Sequence, residues 1–345
     1  MTESFEFGGR TLAPGTRGTI DLPVSVLSDH TPVTLSAHVI HGRRPGPRVF
    51  VSAGIHGDEV IGAEICRRLL RATPIRSVAG TLIVVPIVNA FGFLNQSRYL
   101  PDRRDLNRAF PGHSEGSLAA RLAHLFLTEV VLRCDTGIDL HSAAVGRTNL
   151  PQLRLTPGSQ RLRELGAAFA APVTLTSKVR DGSLREAAAS AGVDVLLYEA
   201  GEGLRFDETA ARAGVAGVLR VLLHLGMIPG RGVPRARAGS VLCDRSHWLR
   251  APSGGLLRTL KAAGDWVRED EVLGLVSDPF GENEEEVRTP TPGIVIGRTN
   301  LPVVNEGDAL FHIAEPARAM APEAAQAGVA EHLDAPALFD EDEII

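Results

Sequence analysis

Four short runs dense in β-branched and aliphatic residues, separated by segments of helical periodicity, constrain the fold of this chain more than any other feature. The runs are PRVFVSAG (47–54), TLIVVPIVN (81–89), TGIDLH (136–141) and VDVLLYEAG (193–201). Three of them are nearly continuous in apolar residues, the pattern of a strand buried on both faces, and the short β-branched run TGIDLH is read with them. Between them, residues 59–71, 117–133 and 207–225 place apolar side chains at three- and four-residue spacing, the stripe of an amphipathic helix. Strands alternating with helices predict an α/β fold, a mixed sheet with helices on both faces. Ahead of the first run, Ile20, Leu22, Val24 and Val26 alternate and Val33, Leu35 and Ala37 resume the pattern after DHTP. Residues 1–42 are therefore expected to supply an antiparallel β-hairpin region.

From about residue 231 the helical periodicity stops. Residues 255–260, 266–277 and 293–298 are short strand-like runs punctuated by glycine and proline, which predicts a small all-β, barrel-like domain over 231–313 behind a larger domain over 1–230. Its two halves echo each other, each placing a glycine before two apolar residues, and they resemble the pseudo-symmetric halves of a biotinyl/lipoyl-type barrel. A carrier of that kind needs a lysine at the hairpin between the halves. That hairpin reads SDPFGENEEEVR, and Lys178 and Lys261 are the only lysines in the chain. A carrier or other non-catalytic binding role is thereby disfavoured, and the β domain reads as a structural lid or docking module.

Charge removes further classes. The formal net charge is −5, but residues 313–345 hold eight carboxylates against Arg318, so the remaining body is slightly positive. Such a body is not a nucleic-acid binder, which has to neutralise many phosphates. The acidic, alanine- and proline-rich tail over 314–345 is expected to be partly disordered. Cys66, Cys134 and Cys243 form no CxxC pair and read as buried free thiols. The N-terminal residues show no signal-peptide pattern, and no run approaches the ~20 apolar residues that span a bilayer. A cytoplasmic protein without membrane contact is expected, its homo-oligomeric state left open.

Candidate chemistry lies where strands end. His56 follows the first buried run in SAGIHGDEVIGAE, with Glu59 three residues on and Gly54 and Gly57 permitting a sharp turn between strand and helix. HxxE alone arises by chance in a chain with eleven histidines. His141 closes TGIDLH, and Asp139, two residues earlier, shares its face of the strand. A structural histidine is the plain alternative there. Two histidines and a glutamate, with a fourth position left for water, form the ligand set of a catalytic zinc site. Glu199, ending the strand in LLYEAGE, is the candidate general base, because a carboxylate without a purpose is costly to bury. In SRYLPDRRDLNRAFPG, Asn107 and Arg108 are suited to hold a substrate carboxylate, and Arg98 to stabilise a developing oxyanion. Asp105 would anchor this loop and Arg103 and Arg104 face solvent, although a salt-bridged surface is the ordinary account of an arginine-rich loop.

Taken in order, GIHGDE, DLNRAFPG, DLHSA and YEAG resemble the succinylglutamate desuccinylase/aspartoacylase family, a branch of the zinc carboxypeptidase-like fold. The likeness covers residues 47–201. It implies one zinc ion per chain bound by His56, Glu59 and His141, with Glu199 as general base and acid and Asn107 and Arg108 contacting substrate. Arg98 is similar to the family's oxyanion-stabilising arginine at a different spacing, and Arg185 in GSLREAA is the nearest counterpart of its second carboxylate-binding arginine. The expected activity is hydrolysis of the amide of a small anionic N-acyl amino acid or related N-acyl amine. The alternative is a zinc carboxypeptidase acting on a peptide C-terminus, which the β domain disfavours if it narrows the cleft.

Overall fold

The computed structural model of the chain describes residues 2–318 and 320–333. A two-stranded ribbon, β1 (Phe5–Phe7) and β2 (Arg10–Leu12), leads into the long hairpin of β3 (Thr16–Val26) and β4 (Pro32–His41). The alternating strand β3 buries Ile20, Leu22 and Val24 and exposes the residues between them. Then follow β5 (Arg48–Ala53), β6 (Thr81–Val85), β7 (Thr136–His141), β8 (Arg147–Leu155), β9 (Val173–Thr176) and β10 (Asp194–Gly201). The helices are α1 (Ile61–Arg71), α2 (Ala90–Leu94), α3 (Leu118–Glu129), α4 (Gln160–Phe169), α5 (Leu184–Ser190) and α6 (Glu208–His224).

The continuous apolar runs became strands covered on both sides, with every residue of β6 and β7 buried. On one face Ile65 and Leu69 of α1, Phe169 of α4 and Leu219 of α6 form a core with Val49, Val51 and Ile138. On the other, Leu122 and Phe126 of α3 and Leu184 of α5 pack with Phe50, Ile83 and the ribbon's Phe7. Strands β5, β7 and β10 are mutually parallel, with Ala53 opposite Leu140 and His141 opposite Glu199. Their C-terminal ends therefore share one edge of the sheet, the edge where α/β proteins place their ligands.

After α6 the chain continues as β11 (Val241–Arg250), β12 (Gly255–Thr259), β13 (Trp266–Val267), β14 (Val272–Ser277), β15 (Glu284–Arg288), β16 (Gly293–Thr299), β17 (Val303–Val304) and β18 (Ala309–Pro316). Strand β11 pairs in parallel with β9 and antiparallel with β18, β18 pairs with β16, and β16 returns to pair with β8, which pairs with β9. These five strands close a barrel. Two of them precede residue 231 and three follow it, so both parts of the chain share one hydrogen-bonded sheet of twelve strands. A second sheet, β15-β14-β12-β17, lies wholly in the later part, where Leu257, Leu273 and Val276 meet Val295, Phe311 and Ile313 of the first.

Residues 314–333 of the acidic tail include the end of β18 and a helix, α7 (Pro322–Leu333), whose Ala325 and Val329 are buried beside Ile294 and Ala314. Residues 334–345, the rest of the stretch expected to be partly disordered, lie outside the described residues. Cys66, Cys134 and Cys243 are buried free thiols. Among the described residues no helix is long and apolar enough to cross a membrane.

Candidate active site

The turn after β5 brings an imidazole and a carboxylate together because backbone passes close behind it. A Cβ at Gly57 would lie 1.9 Å from the carbonyl carbon of Gly92 in α2, so only glycine lets the two segments touch. Glu59 precedes α1 and projects from the same turn as His56, and His141 stands at the end of β7. Glu59 joins them: its Oε1 is 2.7 Å from His56 Nδ1 and its Oε2 2.7 Å from His141 Nδ1. All three side chains are about 3% exposed, and one ligand atom from each lies within 4.8 Å of the other two.

The remaining ring nitrogens are committed elsewhere. His56 Nε2 is 3.0 Å from Asp105 Oδ1, and His141 Nε2 is 2.7 Å from Asp139 Oδ2. Asp139 also accepts from Ser52 Oγ at 2.7 Å, its neighbour across β5 and β7. An imidazole whose Nε2–H donates to a carboxylate turns the lone pair of Nδ1 inward. Two Nδ1 atoms and an ionised carboxylate, converging in a buried site, are a donor set that fits a zinc ion.

The electrostatics agree. Burial works against a charge on Glu59, but His56 and His141 outweigh it and hold its carboxyl far below the usual range. Burial likewise opposes charge on the two histidines. Glu59 and Asp105 overcome it for His56, and Asp139 and Glu59 overcome it for His141, so both titrate above an ordinary imidazole. The cluster favours a positive charge between its donors, which a divalent cation supplies more fully than protons.

Around this group lies a cavity of about 420 Å³ whose walls include all eight candidates, His56, Glu59, Arg98, Asn107, Arg108, His141, Arg185 and Glu199. Arg98 donates from Nη2 to Asp105 Oδ2 at 3.0 Å and from Nη1 to Glu59 Oε1 at 3.4 Å, which places its guanidinium beside the His56, Glu59 and His141 cluster. Asp105 caps a short 3-10 helix, Leu106–Arg108, by accepting from the Asn107 amide at 2.8 Å. Asn107 Oδ1 accepts from Leu184 N at 2.9 Å, tying the loop to the first residue of α5, and Arg108 donates to the Asn107 carbonyl. Arg185, in α5, reaches Ser177 Oγ at 3.3 Å. Burial, with Arg154 nearby, brings its guanidinium down to about 10. Arg103 and Arg104 are exposed.

A sequence model of the succinylglutamate desuccinylase/aspartoacylase catalytic domain matches residues 45–225, just over half of the chain. The chain belongs to the succinylglutamate desuccinylase/aspartoacylase family. Among its relatives, the N-alpha-acetyl-L-2,4-diaminobutyric acid deacetylase of Halomonas elongata is 28% identical over 310 residues, covering 86% of this chain and 91% of the relative. The succinylglutamate desuccinylase of Pseudomonas aeruginosa is 29% identical over 201 residues, 54% of this chain and 53% of the relative. A solved succinylglutamate desuccinylase/aspartoacylase from Rhodobacter sphaeroides superposes with a TM-score of 0.78 at 25% identity, covering 88% of this chain and 96% of that one. The product-bound ectoine utilization protein EutE of Ruegeria pomeroyi shares the fold, with a TM-score of 0.77 at 24% identity, covering 87% and 94%.

In this family member the cavity also has walls that the sequence motifs do not contain. Asn149 and Arg154 of β8 contact Glu199, at 2.8 Å from Nδ2 to Oε2 and 3.5 Å from Nη1 to Oε1. Trp248 of β11 and His312 of β18 stack at 4.5 Å between ring centroids, with the Arg147 guanidinium 5.4 Å from the indole. Lys178 and Arg180 complete a cationic side. Strand β8 carries no clean sequence signal, since RTNLPQLRL mixes polar and apolar residues around Pro151. Its pairing with β10 slips register between Gln152 and Asn149, across the proline.

Proposed function

We propose that this chain is a zinc-dependent amidohydrolase that removes the acyl group from a small N-acyl amino acid bearing more than one carboxylate. The observation that carries the reading is the converging His56, Glu59 and His141 set, with each histidine backed by a carboxylate, in one small cavity with Glu199. When bound there, a zinc ion would lower the pKa of water toward about 7 and polarise the acyl carbonyl.

The rest is work for the chain's own side chains. Glu199 takes the proton of the attacking water and returns it to the departing amine. Arg98, held by Asp105 and Glu59, offers its guanidinium to the oxyanion that develops as the amide is attacked. Asn107 and Arg108 receive a substrate carboxylate, and Arg185 a second one. Arg108, Lys178, Arg180 and Arg185 form no ion pair with a carboxylate among the described residues, and like charge this close calls for an anionic ligand. The names of relatives point to the reaction class, one acting on an N-acetylated diaminobutyric acid and another on succinylglutamate. The cationic wall favours the dianionic type over an amine-bearing one.

Trp248 and His312, reaching the cavity from β11 and β18, support a small substrate over a peptide chain, and the volume suits a ligand of that size. The test is a panel of N-acetyl and N-succinyl amino acids beside blocked dipeptides. Turnover of N-acyl aspartate or glutamate well above N-acetyl-diaminobutyrate is expected. Cleavage of the dipeptides alone would replace this reading with the carboxypeptidase one.

A further inference from the structure

Glu199 is held from a strand that bears none of the sequence motifs. Asn149 Nδ2 donates to Glu199 Oε2 at 2.8 Å. Because a carboxylate only accepts, the amide must turn its nitrogen toward Glu199, which sends Asn149 Oδ1 the other way. Asn149 faces β16, paired with β8 so that Gly297 stands opposite it. A Cβ at Gly297 would lie 2.7 Å from Asn149 Oδ1 and 3.3 Å from the Thr148 carbonyl oxygen. The strand that closes the barrel thus abuts the amide that touches the carboxylate. The same edge is fastened beyond β16, where Asn300 donates from N to the Gly146 carbonyl at 2.8 Å and from Nδ2 to Glu202 Oε2 at 3.0 Å. Glu202 follows β10 directly and accepts from Gly146 N at 2.9 Å.

We infer that the C-terminal β unit is part of the catalytic apparatus, with Asn149 as a positioning residue: β16, through Gly297, sets the Asn149 amide, and Asn149 fixes the Glu199 carboxylate in the orientation it takes in the cavity. The inference rests on the reading of Glu199 as the proton acceptor. It makes barrel closure, and not only the motif-bearing strands, a requirement for the chemistry.

The experiment compares zinc-loaded Asn149→Ala, Asn149→Asp, Gly297→Ala, the Gly297→Ala/Asn149→Ala pair and Glu199→Gln, on the N-acyl amino acid the native enzyme turns over best. Asn149→Ala is expected to lower kcat about 10- to 100-fold while KM stays within about threefold, the split of an interaction that serves the transition state. Asn149→Asp keeps the packing but cannot donate, and is expected to fall as far. Gly297→Ala should lower kcat about tenfold alone and less than about twofold in the Asn149→Ala background, because the contact it disturbs is already gone. Its crystal structure should show Asn149 Nδ2 out of hydrogen-bond distance of Glu199, with His56, Glu59 and His141 unmoved. An equal factor for Gly297→Ala in both backgrounds, or native kcat in Asn149→Asp while Glu199→Gln is inactive, overturns the inference and leaves the role of Glu199 standing. Full activity in Glu199→Gln removes the reading beneath it and the inference together.

Discussion

His56 and His141 each spend one ring nitrogen on a carboxylate and turn the other toward Glu59, so in the proposed zinc site Asp105 and Asp139 would matter as much as the ligands they orient. Asp139→Asn is expected to weaken zinc binding about 10- to 100-fold, read by competition with a chromogenic chelator. An unchanged affinity would mean that Asp139 does not set the tautomer. Glu199→Gln should lower kcat by about 10²- to 10⁴-fold at unchanged zinc content. His312 makes a prediction of a different kind. Burial, with Arg154 beside it, brings its pKa down to about 3, whereas an unfolded histidine titrates near 6.5. Between those values the unfolded chain takes up a proton that the folded chain refuses, so stability falls as pH falls from about 6.5 toward 3. His312→Gln should remove part of this slope, sparing ~1–2 kcal/mol of the loss between pH 7 and 4.5 in urea unfolding. An identical loss in both proteins would contradict the assignment. Residues of this kind differ in how far they can be read in advance. His56, Glu59, His141 and Glu199 announce themselves because each sits where an apolar run stops. His312 lies inside an apolar strand, in ALFHIA, where nothing local separates a cavity wall from a core position.

At the scale of elements, the loop over 97–112 and α5 act as one unit. Asn107 Oδ1 accepts from the Leu184 amide at the start of α5, and Ser183 caps the same helix through its Oγ at 3.3 Å from Glu186 N. Asn107→Ala leaves a buried amide without a partner and is expected to cost ~1–3 kcal/mol of stability as well as raising KM. Asn107→Asp keeps the acceptor and should restore most of the stability, and denaturation midpoints of the two variants decide it. If both are as stable as the native protein, the loop and helix are not coupled. The doubly buried strands and the helices α1, α3 and α6 were legible because period and composition agree, and Ser117 and Asp207 mark the starts of α3 and α6 as N-caps, whereas α4 and the seven-residue α5 were not read. Strands β8, β9 and β11 were not legible. Strand β8 carries Pro151 at a register slip, β9 is four residues long, and β11 carries three consecutive exposed residues, Asp244, Arg245 and Ser246, beside a register slip that breaks its alternation. Their pairing is set by partners far along the chain, which local pattern does not encode.

For the whole molecule, barrel closure binds the two halves of the chain into one sheet and lets β11 and β18 reach a cavity whose His56, Glu59 and His141 all come from the first half. Charge in the cavity is uneven: Glu59 and Asp105 meet histidine and Arg98, Glu199 meets Asn149 and Arg154, and Arg108, Lys178, Arg180 and Arg185 line the same cavity as the cations proposed to receive substrate. Removing the metal should therefore cost the cluster its balancing charge, and a lower melting temperature after chelation, restored by zinc, is expected. The central claim, that His56, Glu59 and His141 hold a zinc ion which the enzyme uses to cleave small N-acyl amino acids, is tested most directly by one assay. Release of free amino acid from N-acetyl- and N-succinyl-aspartate and -glutamate is followed for the purified, chelated and zinc-restored enzyme. Hydrolysis that disappears on chelation and returns with one equivalent of zinc per chain is the predicted result. Hydrolysis undiminished by complete removal of metal would contradict it.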